Sequence, residues 1–261
     1  MILSNIKLLK FFYKALITGL PLSTYNPLNN AVFHAPVEIK PYSTYVNYKL
    51  NFNEYKYLNT YLAENTNQLK LSKTKIHRNN NYFLSINMYN CTSPMFDLVQ
   101  KNDITRCEIN TYIVNKNNEF GTLITDYSSN FLSMDPDTIF KKPQTADYFK
   151  QNLNTYEFTA SNDNFLFLLN YNISPFDRKL ILDKKLIQYT DKCFYNNGIY
   201  DKIYYDSSLI DCEIKQPNIN NVYFRFKDLI FKEPYSVFYF NHPLSFVGGI
   251  WSNLNQFNES L

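Results

Sequence analysis

Arg106, Glu108, Asn110 and Tyr112 alternate with Cys107, Ile109, Thr111 and Ile113. In a strand, successive side chains point to opposite faces. One face then carries a guanidinium, a carboxylate, an amide and a phenol, and the other is mostly apolar. On an outer wall the polar face would meet water. Inside a barrel wide enough for a ligand it would line a polar lumen. There Arg106 could hold a substrate carboxylate, with Glu108 as an ionisable partner beside it. Asn110 and Tyr112 would add substrate contacts. Period two leaves both orientations of the strand open.

Other polar motifs read as structural. Asp126, Asp135 and Asp137 lack the spacing of a calcium loop, and Asp135-Pro136 suits the start of a helical turn. Cys91, Cys107, Cys193 and Cys212 form no CxxC pair, and His34, His77 and His242 are the only histidines. No metal site and no cofactor are expected, and the thiols read as reduced and partly buried. Asn90-Cys91-Thr92-Ser93-Pro94 reads as a turn with a buried Cys91. Asn241-His242-Pro243 reads as a turn with a structural histidine. Gly248-Gly249, beside Trp251, lacks phosphate-loop spacing and reads as a bend that lets backbone pack closely.

The elements that must position these residues are short and period-two. Tyr42–Phe52, Gln68–Ile76, Tyr82–Tyr89, Arg106–Val114 and Gly121–Tyr127 alternate, as do Phe165–Tyr171, Leu186–Tyr189, Ile199–Tyr205, Asp211–Lys215, Val222–Phe226 and Ser236–Phe240. In Tyr82–Tyr89, one face holds Phe83, Ser85, Asn87 and Tyr89, and the other Leu84, Ile86 and Met88. Asn115–Gly121 has the composition of a hairpin turn. Helices are expected over Glu54–Leu62 and Ala146–Leu153. The fold class is therefore mainly antiparallel β with some helix (α+β), roughly ten strands closed into a barrel or cone-like sheet, or folded as a sandwich.

Residues 2–20 read as an amphipathic helix with Lys7, Lys10 and Lys14 on one face, stopped by Gly19 and Pro21. The first 37 residues hold no acid. The helix therefore reads as docked on the body or as a peripheral membrane or targeting contact through residues 1–20. A secretory signal fits worst, because Lys14 breaks the apolar stretch. The expected organisation is this helix followed by one β-rich domain over 21–261, in the cytoplasm, with self-association into a homo-oligomer left open.

The 261 residues carry a net charge of +3, 45% apolar and 19% charged side chains. That excludes a disordered charged tail. No apolar run reaches the roughly 18 residues that span a bilayer. Lysine outnumbers arginine (Arg78, Arg106, Arg178 and Arg225 are all the arginines), and no basic patch is apparent, so nucleic acid is not an expected partner. The 23 Tyr, 22 Phe and only 5 Gly, with abundant Asn and Lys, fit an AT-rich genome, viral or microbial. Sequons at Asn90, Asn172 and Asn258 are no more than chance gives in so Asn-, Ser- and Thr-rich a chain.

Glu108 in a strand, a hairpin, a second strand, Ser133-Met134-Asp135, and then Lys141-Lys142 together resemble the acetoacetate decarboxylase-like superfamily over about residues 80–145. The resemblance implies a cone-like antiparallel barrel around a closed cavity. It also implies a lyase-like chemistry in which Lys142 or Lys141 forms a Schiff base with a keto group and Glu108 is the carboxylate beside it. A lysine amine has an ordinary pKa near 10.4 and must be neutral to attack; an apolar cavity and a second ammonium alongside both favour the neutral form. The family signature is Gly-x-Pro-Lys-Lys, whereas this chain has Phe140-Lys141-Lys142-Pro143, without the Gly and with Pro on the other side. The expected ligand is a small keto-acid-like or apolar molecule. A binding barrel without catalysis, and a structural or interaction protein docking through its first helix, are the alternatives.

Overall fold

In a computed structural model, the structure describes residues 31–65, 69–76, 79–92, 104–115, 118, 120–129, 148–152, 155–180, 192–194, 200–207 and 213–252. The amino-terminal helix expected over residues 2–20, the strand at Leu186–Tyr189, and Lys141 and Lys142 all lie outside these residues. The order of elements begins β1 (Ala31–Ile39), β2 (Thr44–Lys49), α1 (Phe52–Asn65), β3 (Lys70–Leu71), β4 (Thr74–Ile76), β5 (Asn79–Asn81), β6 (Phe83–Thr92), β7 (Ile104–Val114) and β8 (Phe120–Ser129). It continues β9 (Tyr148–Asn152), β10 (Thr155–Ser161), β11 (Phe165–Asn172), β12 (Arg178–Leu180), β13 (Lys192–Phe194) and β14 (Tyr200–Ser207). It ends β15 (Ile214–Gln216), β16 (Asn218–Phe226), β17 (Leu229–Phe231), β18 (Ser236–Phe240) and β19 (Leu244–Ser252).

These form a twelve-stranded sheet, a five-stranded sheet and a small β4–β5 ribbon. The large sheet runs β12-β15-β18-β2-β6-β1-β19-β14-β13-β8-β7-β3, with β6 also paired to β7. All its pairs are antiparallel except β13 with β8. The small sheet runs β17-β16-β11-β10-β9. The mainly antiparallel β class is thus observed. The strand order has open ends at β12 and β3, and closure into a barrel stands as a proposal below.

The small sheet follows a simple amphipathic rule. Along β10 and β11 every second residue is buried: Tyr156, Phe158 and Ala160, then Phe165, Phe167, Leu169 and Tyr171. This face packs on Val46, Tyr48, Leu84, Ile86, Met88, Cys107, Ile109 and Ile113 of the large sheet. The two layers meet through rings, with Tyr48 5.4 Å from Phe224 and 5.3 Å from Phe231. They also meet through hydroxyls: Thr44 Oγ1 donates to Tyr171 Oη at 2.9 Å, and Tyr171 donates to the Tyr42 carbonyl at 2.9 Å. Burial pushes the Tyr171 phenol well above its ordinary value, so it stays a neutral donor.

Helix α1 starts where its cap dictates. Asn51 Oδ1 accepts from the backbone N–H of Asn53 and Glu54, and Glu54 Oε2 accepts from the Asn51 N–H at 2.7 Å. This reciprocal box fixes the first turn. Phe52, assigned by alternation to the end of a strand, therefore begins the helix and is exposed. Leu58 and Leu62 face the core as expected.

Several expectations are corrected. Among the described residues, nineteen strands stand where roughly ten were expected. Gln68–Ile76 is two strands, β3 and β4. The helix expected over Ala146–Leu153 is instead strand β9, paired with β10 from Asn152↔Thr155 to Tyr148↔Thr159; the ladder and two aromatics override a weak helical pattern. Gly248-Gly249 is no bend but the middle of β19, paired with Ala35 and His34 of β1 and with Tyr205 and Tyr204 of β14.

The hairpin turn is as expected. Val114 pairs with Phe120, the Asn118 N–H donates to the Asn115 carbonyl at 3.0 Å, and Asn118 takes φ 61°, a left-handed setting that Asn tolerates.

Phe224 is fully buried among Tyr48, Phe167, Phe226 and Phe231. Replacing it with alanine should cost about 3–5 kcal/mol, read as a lowered midpoint in urea unfolding. A loss under about 1 kcal/mol would mean the two sheets do not pack through this ring.

Candidate functional site

Strands β6 and β7 break the amphipathic rule of the small sheet. Every residue from 83 to 89 and from 105 to 113 is buried. One face is explained, since Leu84, Ile86, Met88, Cys107, Ile109 and Ile113 belong to the core. The other face bears Arg106 at 5% exposure, Glu108 at 9%, Asn110 at 6% and Tyr112 at 2%. The polar face is therefore not an outer wall in water. The structure brings four of the six expected site residues together on one buried strand face. The other two, Lys141 and Lys142, lie outside the described residues.

Strand register extends this face sideways in rows. The central row runs Phe238, Tyr45, Asn87, Glu108 and Tyr127 across β18, β2, β6, β7 and β8. The row beside it runs Ser236, Asn47, Ser85, Asn110 and Ile124, where a register shift in β8 between Ile109 and Asn110 restores the alternation. On the other side, Tyr89 stands opposite Arg106. Arg106 Nε donates to Glu108 Oε1 at 2.7 Å, and Tyr89 Oη donates to the same oxygen at 2.8 Å. The guanidinium also lies 5.0 Å from the centre of the Tyr127 ring, within cation–π reach.

The second row is a continuous hydrogen-bonded chain. Asn47 Nδ2 donates to Ser236 Oγ at 3.1 Å, Ser85 Oγ donates to Asn47 Oδ1 at 2.6 Å, and Tyr112 Oη lies 3.1 Å from Ser85 Oγ. Tyr112 is thus engaged at the edge of the face, and Asn110 stands between this chain and Glu108.

Desolvating two charges costs several kcal/mol per ion, which pairing and hydrogen bonding must offset. A carboxylate shared by Arg106 and Tyr89 meets that condition at Oε1. Chemically, the arrangement provides an acid–base group and a cation in a region without bulk water, where electrostatic interactions are strengthened.

Sequence reasoning missed Tyr45, Asn47, Asn87, Tyr89, Tyr127 and Ser236. The alternation of Ser85, Asn87 and Tyr89 with Leu84, Ile86 and Met88 was the available signal. Its meaning depended on β6 lying next to β7, which no local pattern states.

Asp126 is held by Asn162 Nδ2 and Asn164 Nδ2, each at 2.6 Å, and by the Tyr127 N–H. Burial raises its pKa against the lowering effect of those bonds. It ties the β8 irregularity to the β10–β11 turn. No group of three or more metal-ligating side chains occurs among the described residues. Cys91 and Cys107 are buried and free of disulfides, as expected. His242 is exposed. A separate open groove of about 550 Å³ runs along α1 between Lys56, Tyr57, Tyr61 and Lys227. Lys227 Nζ sits there 3.9 Å over the Tyr61 ring. No helix among the described residues is long and apolar enough to cross a membrane.

Replacing Glu108 with alanine leaves Arg106 buried without its carboxylate and should destabilise the fold by about 3–5 kcal/mol. The double replacement Arg106→Met with Glu108→Leu should recover most of that loss. Equal stability of Glu108→Ala and the unaltered protein in thermal unfolding would place the pair in water instead.

No family model matches the chain, and no curated protein matches it. Among solved structures, it is similar to an acetoacetate decarboxylase-like enzyme from Sphingomonas wittichii RW1, with a TM-score of 0.51 at 10% identity. That match covers 89% of this chain and 96% of the other. A candidate AttH protein from Nitrosomonas europaea matches with a TM-score of 0.24 at 9% identity, over 89% of this chain and 57% of the other, and carries no argument. The chain thus shares the acetoacetate decarboxylase-like fold.

Proposed function

We propose that the polar face of β6 and β7 lines an enclosed ligand site for a small keto-acid-like molecule. The observation that carries this reading is the buried Arg106–Glu108 pair on the side of β7 turned away from the core. A purely structural sheet would fill that face with apolar side chains, because a buried ion pair stabilises a fold no more than a well-packed apolar replacement. Arg106 binds the ligand carboxylate. Glu108 holds or moves a proton beside the reacting carbon. Asn110 and Tyr112 complete the wall.

The wall itself is read as a closed cone. Pairings lead from β6 to β1, β19, β14, β13 and β8, and from β8 through β7 back to β6. The link between β6 and β1 is short, at Glu38↔Thr92 and Ile39↔Cys91. Such a circuit supports a hollow, and the likeness in fold to an acetoacetate decarboxylase-like enzyme supports the same architecture.

In the catalytic form of this proposal, Lys142 or Lys141 is the amine. Its neutral form attacks the keto carbon and water leaves; in a 3-keto acid the protonated imine then takes up the electron pair of the C1–C2 bond as carbon dioxide departs, a proton returns to C2, and water releases the amine. The test is borohydride reduction of the full chain with pyruvate, read by peptide mass spectrometry. The expected result is one reduced pyruvate adduct on Lys142 or Lys141, absent from Lys142→Gln or Lys141→Gln respectively. No adduct on either lysine discards the Schiff-base form. The reading without catalysis is favoured by one feature, the reversed Lys-Lys-Pro order. It is tested by pyruvate binding in the same protein without reductant.

A further inference from the structure

Asn87 sits at the centre of the buried polar face, between Tyr45 and Glu108 in register. It is 6% exposed. Its Nδ2 donates to Tyr45 Oη at 3.0 Å. Its Oδ1 is buried and accepts no hydrogen bond from any described residue. A buried acceptor left unmade is costly and uncommon, and it calls for a specific cause.

The immediate neighbour sharpens the question. Glu108 faces Asn87 directly across β6 and β7, which sets their Cβ atoms about 4.5–5.5 Å apart. Both hydrogen bonds that Glu108 accepts from described residues, from Arg106 and Tyr89, go to Oε1. Among the described residues, Oε2 takes no hydrogen bond. Asn87 Oδ1 is therefore a buried, unfilled acceptor, and beside it Glu108 Oε2 accepts from no described residue. Their row-mates at the ends, Tyr45 and Phe238 on one side and Tyr127 on the other, present rings. By contrast, Ser236, Asn47, Ser85 and Tyr112 in the neighbouring row are joined into one chain. On this polar face the unfilled acceptor is thus local to one spot; the other buried side-chain oxygens without a partner among the described residues, Tyr48 Oη and Thr74 Oγ1, lie elsewhere in the fold.

We propose that Asn87 is a specificity-determining residue that reads a hydroxyl on the ligand, so that the preferred ligand is a hydroxylated keto acid. This rests on the ligand-site reading above and adds to it the substrate class. A hydroxyl fits better than an ammonium because it both donates and accepts. It satisfies the Asn87 amide whichever way the amide is turned, and its proton can go to Oδ1 or to Glu108 Oε2. A site built for a hydroxyl rejects the analogue lacking it, because the buried acceptor is then left unpaired.

The probes are pyruvate and 3-hydroxypyruvate, which differ by that one hydroxyl, titrated against the full chain at pH 7 by ligand-detected NMR. Hydroxypyruvate should bind roughly tenfold more tightly. Asn87→Leu should remove this preference, bringing the ratio of the two affinities to about one. Asn87→Ala, which cannot overfill the interior, does the same service if the leucine variant fails to fold by circular dichroism. Equal affinities for the two acids in the unaltered protein overturn the inference, because a trapped water would then satisfy Asn87. That result leaves the keto-acid site standing. A preference that survives both Asn87 variants also overturns it. Binding of neither acid overturns this inference and the ligand-site reading together.

Discussion

Burial of β6 and β7 on both faces is the constraint from which the rest of the structure follows. A strand with water on one side needs only alternation. A strand covered on both sides must either be apolar throughout or satisfy every polar group it carries. This chain takes the second course on one face, with Asn87 Oδ1 the exception. Core packing against Tyr156, Phe158, Phe167 and Phe224 stabilises one side of the sheet. The opposite side holds a cation, an anion, amides and hydroxyls arranged in register. The energetic cost of that second side is bearable because the first is so heavily aromatic.

The polar face divides into two kinds of order. The Ser236–Asn47–Ser85–Tyr112 chain is structural in character, since each group finds its partner within the sheet. The Arg106–Glu108–Tyr89 cluster is satisfied at one carboxylate oxygen and open at the other. Partly satisfied polar groups in a low-dielectric interior are expensive, and that expense sets this cluster apart from the rest of the sheet. Asn87 and Glu108 lie where two neighbouring strands face each other.

A likeness of fold at 10% identity over 89% of the chain is physically reasonable for such an architecture. What the fold needs is alternation, turn chemistry and a large apolar layer between sheets, and many residues supply these. Chemistry needs particular atoms at particular distances, and a shared fold does not carry them across.

Alternation in Arg106–Val114, Gly121–Tyr127 and Phe165–Tyr171 determined by itself that these segments are strands, and the Asn115–Gly121 composition determined the turn between two of them. Residue types alone singled out Arg106, Glu108, Asn110 and Tyr112 as one face. Local pattern could not say that this face is buried, because period two is the same for a wet wall and for a covered one. It also misread Ala146–Leu153 and Gly248-Gly249, where pairing with distant strands overrode local preference. Only tertiary structure set Asn87 and Tyr89 beside Glu108, since that requires β6 and β7 to align across the segment between them. Registration of one strand on another is a long-range property. It decides which side chains become neighbours, and no short window of sequence contains it.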